Sequence, residues 1–214
     1  MRQSLLKSLR TYPWLHHLIC LYPLMLVLCG LGVVFESEET MARFFLDLRP
    51  FHPVIDGFML AFTYGATPAF YLLYGWFFWK GYKENNAGLK RLALAYVIAQ
   101  VLLSFLLVRL LKMAVGKPRP MSMLGGEGYL PFTLEHGNHS FPSGHTAEII
   151  GSAATLAARK KRLFFSLGMG FLIALVGFSR IYLSMHHLWD IAAGMVIGTL
   201  VSLLIHHICT REAS

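Results

Sequence analysis

The sequence predicts an all-α integral membrane protein in which residues 1–214 form one domain, a single bundle of six transmembrane helices. Hydrophobic residues make up 56% of the 214-residue chain and charged residues only 14%, and the mean hydropathy is +0.55. A soluble domain would carry charge at roughly a quarter of its positions. The charged residues are also clustered, so that long apolar stretches remain between them.

Six apolar stretches are candidate membrane spans. They cover residues 15–35, 54–79, 91–112, 144–158, 163–183 and 187–208. Most approach the roughly 20 residues that a helix needs to cross the hydrocarbon core, whereas the fourth is short and depends on its flanks. We expect the first to be a retained helix rather than a cleaved signal, because Glu36-Ser-Glu-Glu follows it in place of a small-residue cleavage site.

Lysine and arginine residues predict the orientation of the bundle. One group lies on the side that holds both termini: Arg2, Lys7, Arg10, Lys80, Lys83, Lys90, Arg91, Arg159–Arg162 and Arg211. The positive-inside rule predicts that this side is cytoplasmic. Much of the net charge of +8 therefore reflects topology, and it gives no reason to expect a nucleic-acid partner.

Three segments at the predicted outer ends of the spans carry basic and imidazole side chains. They are Lys112 to Arg119-Pro120, then Pro142-Ser143-Gly144-His145, and then Ser179-Arg180 to His186 and Asp190. Two of them open helices, where unpaired backbone N–H groups and the helix dipole favour an anion. Each basic residue alone would be interpreted as reaching the lipid headgroups. Together, they predict a phosphate site at the membrane surface.

These segments resemble the three-part signature of the type 2 phosphatidic acid phosphatase superfamily. The signature reads Lys-six residues-Arg-Pro, Pro-Ser-Gly-His and Ser-Arg-five residues-His-three residues-Asp, and every position matches in order. The motifs and the helices between them cover roughly residues 90–208. The hydropathy of the chain resembles that of the integral-membrane lipid phosphatases in the superfamily rather than its soluble members.

The resemblance implies a role for each signature residue. His186 would attack phosphorus, Asp190 would orient its imidazole, and His145 would protonate the leaving oxygen and then activate water. Because His186 and Asp190 are four residues apart, we expect them to share a helix face and to form a hydrogen bond. The residues implied to bind phosphate are Lys112, Arg119, Ser143, Gly144 and Arg180.

Metal ions and cofactors are not expected. Positive side chains can stabilise phosphoryl transfer without a metal, and the sequence shows no carboxylate cluster for magnesium. His136 and His139 lack a recognised zinc-ligand spacing. The roles of two further residues are left open. Lys117 would contact either a second phosphate of the substrate or a lipid headgroup. His187 would project about 100° away from His186 on a helix, so its contact with the substrate is undecided.

The resemblance implies that a terminal phosphate is hydrolysed from a membrane lipid. Candidate substrates are undecaprenyl diphosphate, phosphatidylglycerol phosphate, phosphatidate and lipid A, with the first two ranked slightly ahead of lipid A. One alternative is a lipid phosphotransferase, and another is an anion transporter, which would place charges at several membrane depths. The expected location is a bacterial inner (cytoplasmic) membrane with the site facing the periplasm or outer side. The expected partners are the bilayer and the lipid substrate, and the oligomeric state stays open.

Overall fold

Helices supply the regular structure of residues 12–210, the part of the chain that this computed structural model describes. The predicted all-helical class is therefore confirmed for these residues. The terminal charges that contribute to the predicted orientation, Arg2, Lys7, Arg10 and Arg211, lie outside the described residues.

The helices are labelled in chain order. They are α1 (Pro13–Val34), α2 (Glu38–Leu48), α3 (Pro53–Lys83), α4 (Ala87–Ala99), α5 (Val108–Val115), α6 (Pro120–Leu124), α7 (Gly144–Lys160), α8 (Leu163–Tyr182) and α9 (Leu188–Thr210). A π-helical segment, Gln100–Leu107, joins α4 to α5, and 3-10 turns cover Arg49–Phe51 and His136–Asn138.

Four helical segments are long and apolar enough to cross a membrane. They are α1, the segment Ala87–Leu124 that includes α4 and α5, α8 and α9, and they coincide with the first, third, fifth and sixth predicted spans. The protein is therefore a multi-pass membrane protein. The second predicted span lies in α3, which has 31 residues but is rich in Tyr, Trp and Gly, residues of modest hydropathy. The fourth lies in α7, whose 17 residues fall short of a full span.

Helix α7 is the most buried element and packs against α1, α3, α8 and α9. Its contact with α9 depends on small residues. A Cβ atom on Gly194 would lie 2.6 Å from the carbonyl oxygen of Ser143, and one on Gly198 would lie 2.7 Å from that of Ala147. Such glycines let helix backbones approach closely. The first turns of α7 and α9, which both carry signature residues, are therefore held side by side.

A buried polar contact joins α3 and α4 to α7. The rings of Tyr74 and Tyr96 stack with centroids 3.7 Å apart. The Tyr74 hydroxyl donates to the carbonyl oxygen of Ser152 at 3.0 Å, and the Tyr96 hydroxyl lies 3.0 Å from Ser152 Oγ. Since buried polar groups need partners, these bonds determine how α3 sits beside the helix that carries His145.

The segment between α1 and α3 is tied to the same end of the bundle as the signature residues. Ser37 caps α2 and forms a capping box with Thr40. Arg49 forms an ion pair with Asp56, and its Nη1 donates to the carbonyl oxygen of Leu183 at 3.3 Å, just beyond α8.

Candidate active site

The turn after α5 places the first motif. Gly116 ends α5 in the left-handed region at φ +57°, and its N–H donates to the carbonyl oxygen of Lys112 at 3.0 Å. A side chain at Gly116 would lie only 1.8 Å from the carbonyl oxygen of Leu130. Glycine is therefore required here, both for the backbone conformation and for the space.

Backbone hydrogen bonds hold the long connection between α6 and α7 against this motif. The N–H of Arg119 donates to Gly137 at 2.7 Å, and that of Ser140 donates to Lys117 at 3.0 Å. Lys112 Nζ donates to the carbonyl oxygen of His139 at 2.6 Å. The connection therefore forms one wall of the site.

The three predicted phosphate-binding cations converge on one imidazole. The charges of Arg180, Lys112 and Arg119 all act on the ring of His145. Arg180 is only 2% exposed, and its Nη1 lies 3.5 Å from Thr63 Oγ1. Three positive charges around a half-buried group form a strong anion-binding field.

The start of α7 brings the second motif to the third. Ser143 is the N-cap of α7, and its side chain accepts a bond from the N–H of Thr146 at 3.4 Å. Its own N–H donates to the carbonyl oxygen of Asp190 at 3.0 Å. Gly144 is the first residue of the helix, so the N-terminal N–H groups of α7 lie beside the cations.

Asp190 is the centre of a buried hydrogen-bond network. Its Oδ2 accepts from Ser140 Oγ at 2.5 Å and from the N–H of His187 at 2.8 Å, while its Oδ1 lies 3.0 Å from Lys117 Nζ. The carboxylate is 0% exposed and is compensated by charge and by hydrogen bonds. It is therefore held in a single position.

The expected helical pairing of His186 and Asp190 is wrong in its local geometry. Helix α9 begins at Leu188, so His186 precedes it and Asp190 lies in its first turn. Their closest contact, from Nδ1 to Oδ2, is 3.7 Å, longer than a hydrogen bond. The reason is that the Asp190 carboxylate caps α9 through the N–H of His187.

His186 lies in the connection between α8 and α9 and is 3% exposed. Burial lowers the pKa of its imidazole to about 3, because the charged form is poorly solvated, and this outweighs the opposing attraction of Asp190. Within the described residues, Nδ1 has no hydrogen-bond partner. The imidazole is therefore neutral near pH 7, as the predicted nucleophilic role requires.

Lys117 and His187, whose roles the sequence leaves undecided, both contact Glu38 of α2. Lys117 Nζ lies 3.3 Å from Glu38 Oε2, and His187 Nδ1 lies 3.3 Å from the same oxygen. His187 Nε2 also lies 3.0 Å from the carbonyl oxygen of Pro118. Burial first, and then the charge of Lys117, lower the pKa of His187. Both side chains are thus engaged with the protein itself.

No group of three or more His, Cys, Asp or Glu side chains is placed to hold a metal ion within residues 12–210. The rings of His136 and His139 lie 5.8 Å apart, and His139 Nε2 contacts the carbonyl oxygen of Thr133 at 3.0 Å.

Comparison with known proteins identifies the family. The model of the PAP2 superfamily matches residues 91–213, more than half of the chain. The chain belongs to the PAP2 superfamily. The PAP2 phosphatases are metal-independent phosphoester hydrolases, so the predicted resemblance and the predicted enzyme class are confirmed. No solved structure shows significant similarity to the chain.

Three proteins similar to this chain are lipid A phosphatases. The lipid A 4'-phosphatase of Porphyromonas gingivalis is 26% identical over 178 residues, which cover 79% of this chain and 73% of the relative. The lipid A 1-phosphatase of Rhizobium johnstonii is 32% identical over 114 residues, which cover 51% of this chain and 45% of the relative. The 1-phosphatase of Rhizobium etli is also 32% identical, over 51% of this chain and 47% of its own length.

Three contacts of the candidate site involve residues that the sequence motifs do not predict. Ser140 donates to Asp190, Glu38 contacts Lys117, and Tyr64 of α3 lies against His145. Ser140 stands two residues before the second motif, which is a weak signal. Glu38 belongs to an acidic run that resembles a solvated loop, and no sequence pattern singles out Tyr64.

Replacing Lys117 with methionine distinguishes a role in holding Asp190 from a contact with a substrate phosphate. If Lys117 holds Asp190, we expect kcat to fall about tenfold to hundredfold with KM nearly unchanged, because the loss acts on the chemical step. A contact with a substrate phosphate would instead raise KM. The measurement is steady-state phosphate release, with Lys117→Arg restoring part of kcat. Lys160→Met, at an exposed position in the last turn of α7, is the matched control.

Proposed function

We propose that this protein hydrolyses a phosphate monoester of lipid A in the membrane through a phosphohistidine formed on His186. The observation that carries the proposal is that the second and third motifs meet: the Ser143 N–H donates to the carbonyl oxygen of Asp190, and His145 and Arg180 contact the same tyrosine ring. The neutral, buried His186 lies in the same cluster, where the charges of Lys112 and Arg180 also reach it. The lipid A phosphatases among the similar proteins support the choice of substrate.

The proposed reaction has two steps. First, Nε2 of His186 forms a bond to phosphorus, the bond to the lipid oxygen breaks, and His145 gives that oxygen a proton. Second, His145 takes a proton from water, which attacks phosphorus and releases inorganic phosphate from His186. Nε2 is the attacking nitrogen because Nδ1 faces Asp190 at 3.7 Å. The carboxylate stabilises the imidazolium that the first step creates.

The phosphate-binding residues have distinct proposed roles. Lys112, Arg119 and Arg180 hold the nonbridging oxygens, whose charge is stabilised in the transition state. Ser143 and the N–H of Gly144, at the start of α7, also bind the phosphate oxygens. Lys117 and Ser140 hold Asp190, and through it the connection that carries His186.

The proposed topology is a single domain of six spans, with both termini in the cytoplasm of a bacterium and the site facing outward from its inner membrane. Two contacts support it, because they join the predicted outer loop to the segments of the first and third motifs: Glu38 with Lys117, and Arg49 with Leu183. Lys83 and Arg159–Arg162, at the far ends of α3 and α7, would face the cytoplasm.

Lipid A becomes the first candidate substrate because the similar proteins act on it, although the family resemblance alone ranks it slightly behind undecaprenyl diphosphate and phosphatidylglycerol phosphate. Phosphatidate remains in the set. A transporter is not favoured, since the described charges of the motifs gather at one end of the bundle and the family is enzymatic. A phosphotransferase would share the phosphohistidine and differ only in the acceptor.

The test is phosphate release by the purified protein in detergent from lipid A, undecaprenyl diphosphate, phosphatidylglycerol phosphate and phosphatidate. We expect the highest kcat/KM on lipid A, and equal rates with and without EDTA. Activity on another lipid alone would overturn the substrate. An EDTA-induced loss that magnesium restores would overturn the metal-independent reaction, and release of phosphate only with an added lipid acceptor would favour a transferase.

A further inference from the structure

Tyr64 of α3 contacts two residues of the candidate site from a helix that carries no signature motif. Its ring centroid lies 5.5 Å from that of His145, with the two planes at 83°. The guanidinium carbon of Arg180 lies 5.5 Å from the same Tyr64 centroid, in a cation–π contact. One aromatic side chain thus touches both the proposed general acid and a proposed phosphate-binding residue.

The neighbouring residue holds Tyr64 in place on α3, although the Tyr64 side chain is exposed. The preceding residue, Thr63, is fully buried and contacts Arg180, which anchors this turn of α3. Tyr64 itself is 49% exposed, whereas Arg180 is 2% exposed. Tyr64 therefore forms the accessible edge of the cluster, and a bound molecule can reach it.

The location of Tyr64 relates it to the leaving group rather than to the phosphate. The general acid must lie within hydrogen-bond reach of the leaving oxygen, so the first atoms beyond that oxygen lie next to His145. Tyr64 packs against His145 and therefore faces the same atoms. In lipid A these atoms belong to a glucosamine ring, which has a flat face of C–H groups. In phosphatidate they belong to a flexible glycerol unit without such a face.

We propose that Tyr64 is a substrate-contacting residue that favours a sugar leaving group by packing its ring against the pyranose face. The inference rests on the proposed phosphatase function and on His145 as its general acid. An aromatic ring offers a large rigid apolar surface with little side-chain entropy to lose, so it suits a flat ring better than a flexible chain. The phenol hydroxyl is not needed for this contact.

The experiment compares Tyr64→Leu, which removes the ring, with Tyr64→Phe, which keeps it. For each variant, kcat/KM is measured on lipid A and on phosphatidate, and the ratio of the two is compared with wild type. We expect Tyr64→Leu to lower this ratio about tenfold and Tyr64→Phe to change it less than threefold. Tyr71→Leu is the matched control, because Tyr71 lies on the same helix, is 42% exposed, and contacts Tyr96 instead of the site.

If the wild-type protein hydrolyses phosphatidate too slowly for kcat/KM to be measured, competitive inhibition gives a second readout. Glucosamine 1-phosphate and glycerol 3-phosphate are compared as competitive inhibitors, and Tyr64→Leu should weaken only the first. Equal losses on both leaving groups, or no loss, would overturn the sugar contact while leaving the phosphatase function intact. A wild type that hydrolyses phosphatidate but not lipid A, and that is not inhibited by the sugar phosphate, would overturn both proposals.

Discussion

Replacing His186 with alanine should reduce phosphate release from lipid A by about ten-thousand-fold or more. The variant loses the proposed nucleophile, and only binding and charge stabilisation by the cations would remain, as when a nucleophile is removed from a catalytic triad. Rapid acid-free quenching with labelled substrate should detect a phosphoenzyme in the wild type and none in the variant. The measurements are turnover and protein-bound label at equal protein concentration.

The control for this variant is His206→Ala. His206 lies on α9 but near its other end, where it is exposed, so its removal should leave turnover unchanged. His186 is buried, so the alanine variant leaves a cavity. His186→Gln is therefore measured as well, because glutamine fills more of this space than alanine and reduces the risk of misfolding. A folded variant of either type that keeps wild-type turnover would remove His186 as nucleophile.

Replacing His145 with glutamine should separate the two steps of the reaction. With p-nitrophenyl phosphate, the leaving group departs without protonation, so the first step should persist, while water attack loses its base. We expect a burst of nitrophenol close to one per protein molecule, followed by turnover that is about hundredfold to ten-thousand-fold slower than wild type. The accumulated phosphoenzyme should be labile in acid and stable in alkali, as a phosphohistidine is.

Two comparisons make the burst decisive. The double variant His145→Gln/His186→Ala should show no burst, because no acceptor for the phosphoryl group remains. On lipid A, whose leaving oxygen needs a proton, the single variant should lose the first step too and show no burst. Wild-type turnover of p-nitrophenyl phosphate by His145→Gln, or a burst that survives the loss of His186, would contradict the assigned roles.

The motif residues could be found in the sequence because they stand at characteristic spacings at the ends of apolar runs. Lys112 and Arg180 lie in the last turns of α5 and α8, Ser143 caps α7, and Asp190 lies in the first turn of α9. Helix ends that meet on one side of a membrane bring such residues together whatever the details of packing. Their convergence therefore followed from hydropathy and order along the chain.

The exact partner of Asp190 could not be predicted in the same way. A spacing of four residues suggests a contact only if the helix includes both of them. The carboxylate instead accepts the N–H of His187, and α9 begins only after His186. Helix boundaries depend on such capping interactions, which compete with the regular repeat over one or two residues.

The sequence by itself determined that this protein is an apolar, multi-pass helical protein, and it predicted that its cations and histidines belong to one phosphate site. These properties depend on composition and on local spacing. Only the tertiary structure decided that Glu38 contacts Lys117, that Ser140 holds Asp190, and that Tyr64 lies against His145. The partners in these contacts are separated by up to 81 positions, from residue 64 to residue 145. Their meeting depends on how closely whole helices and loops pack, and no periodicity along the chain records that.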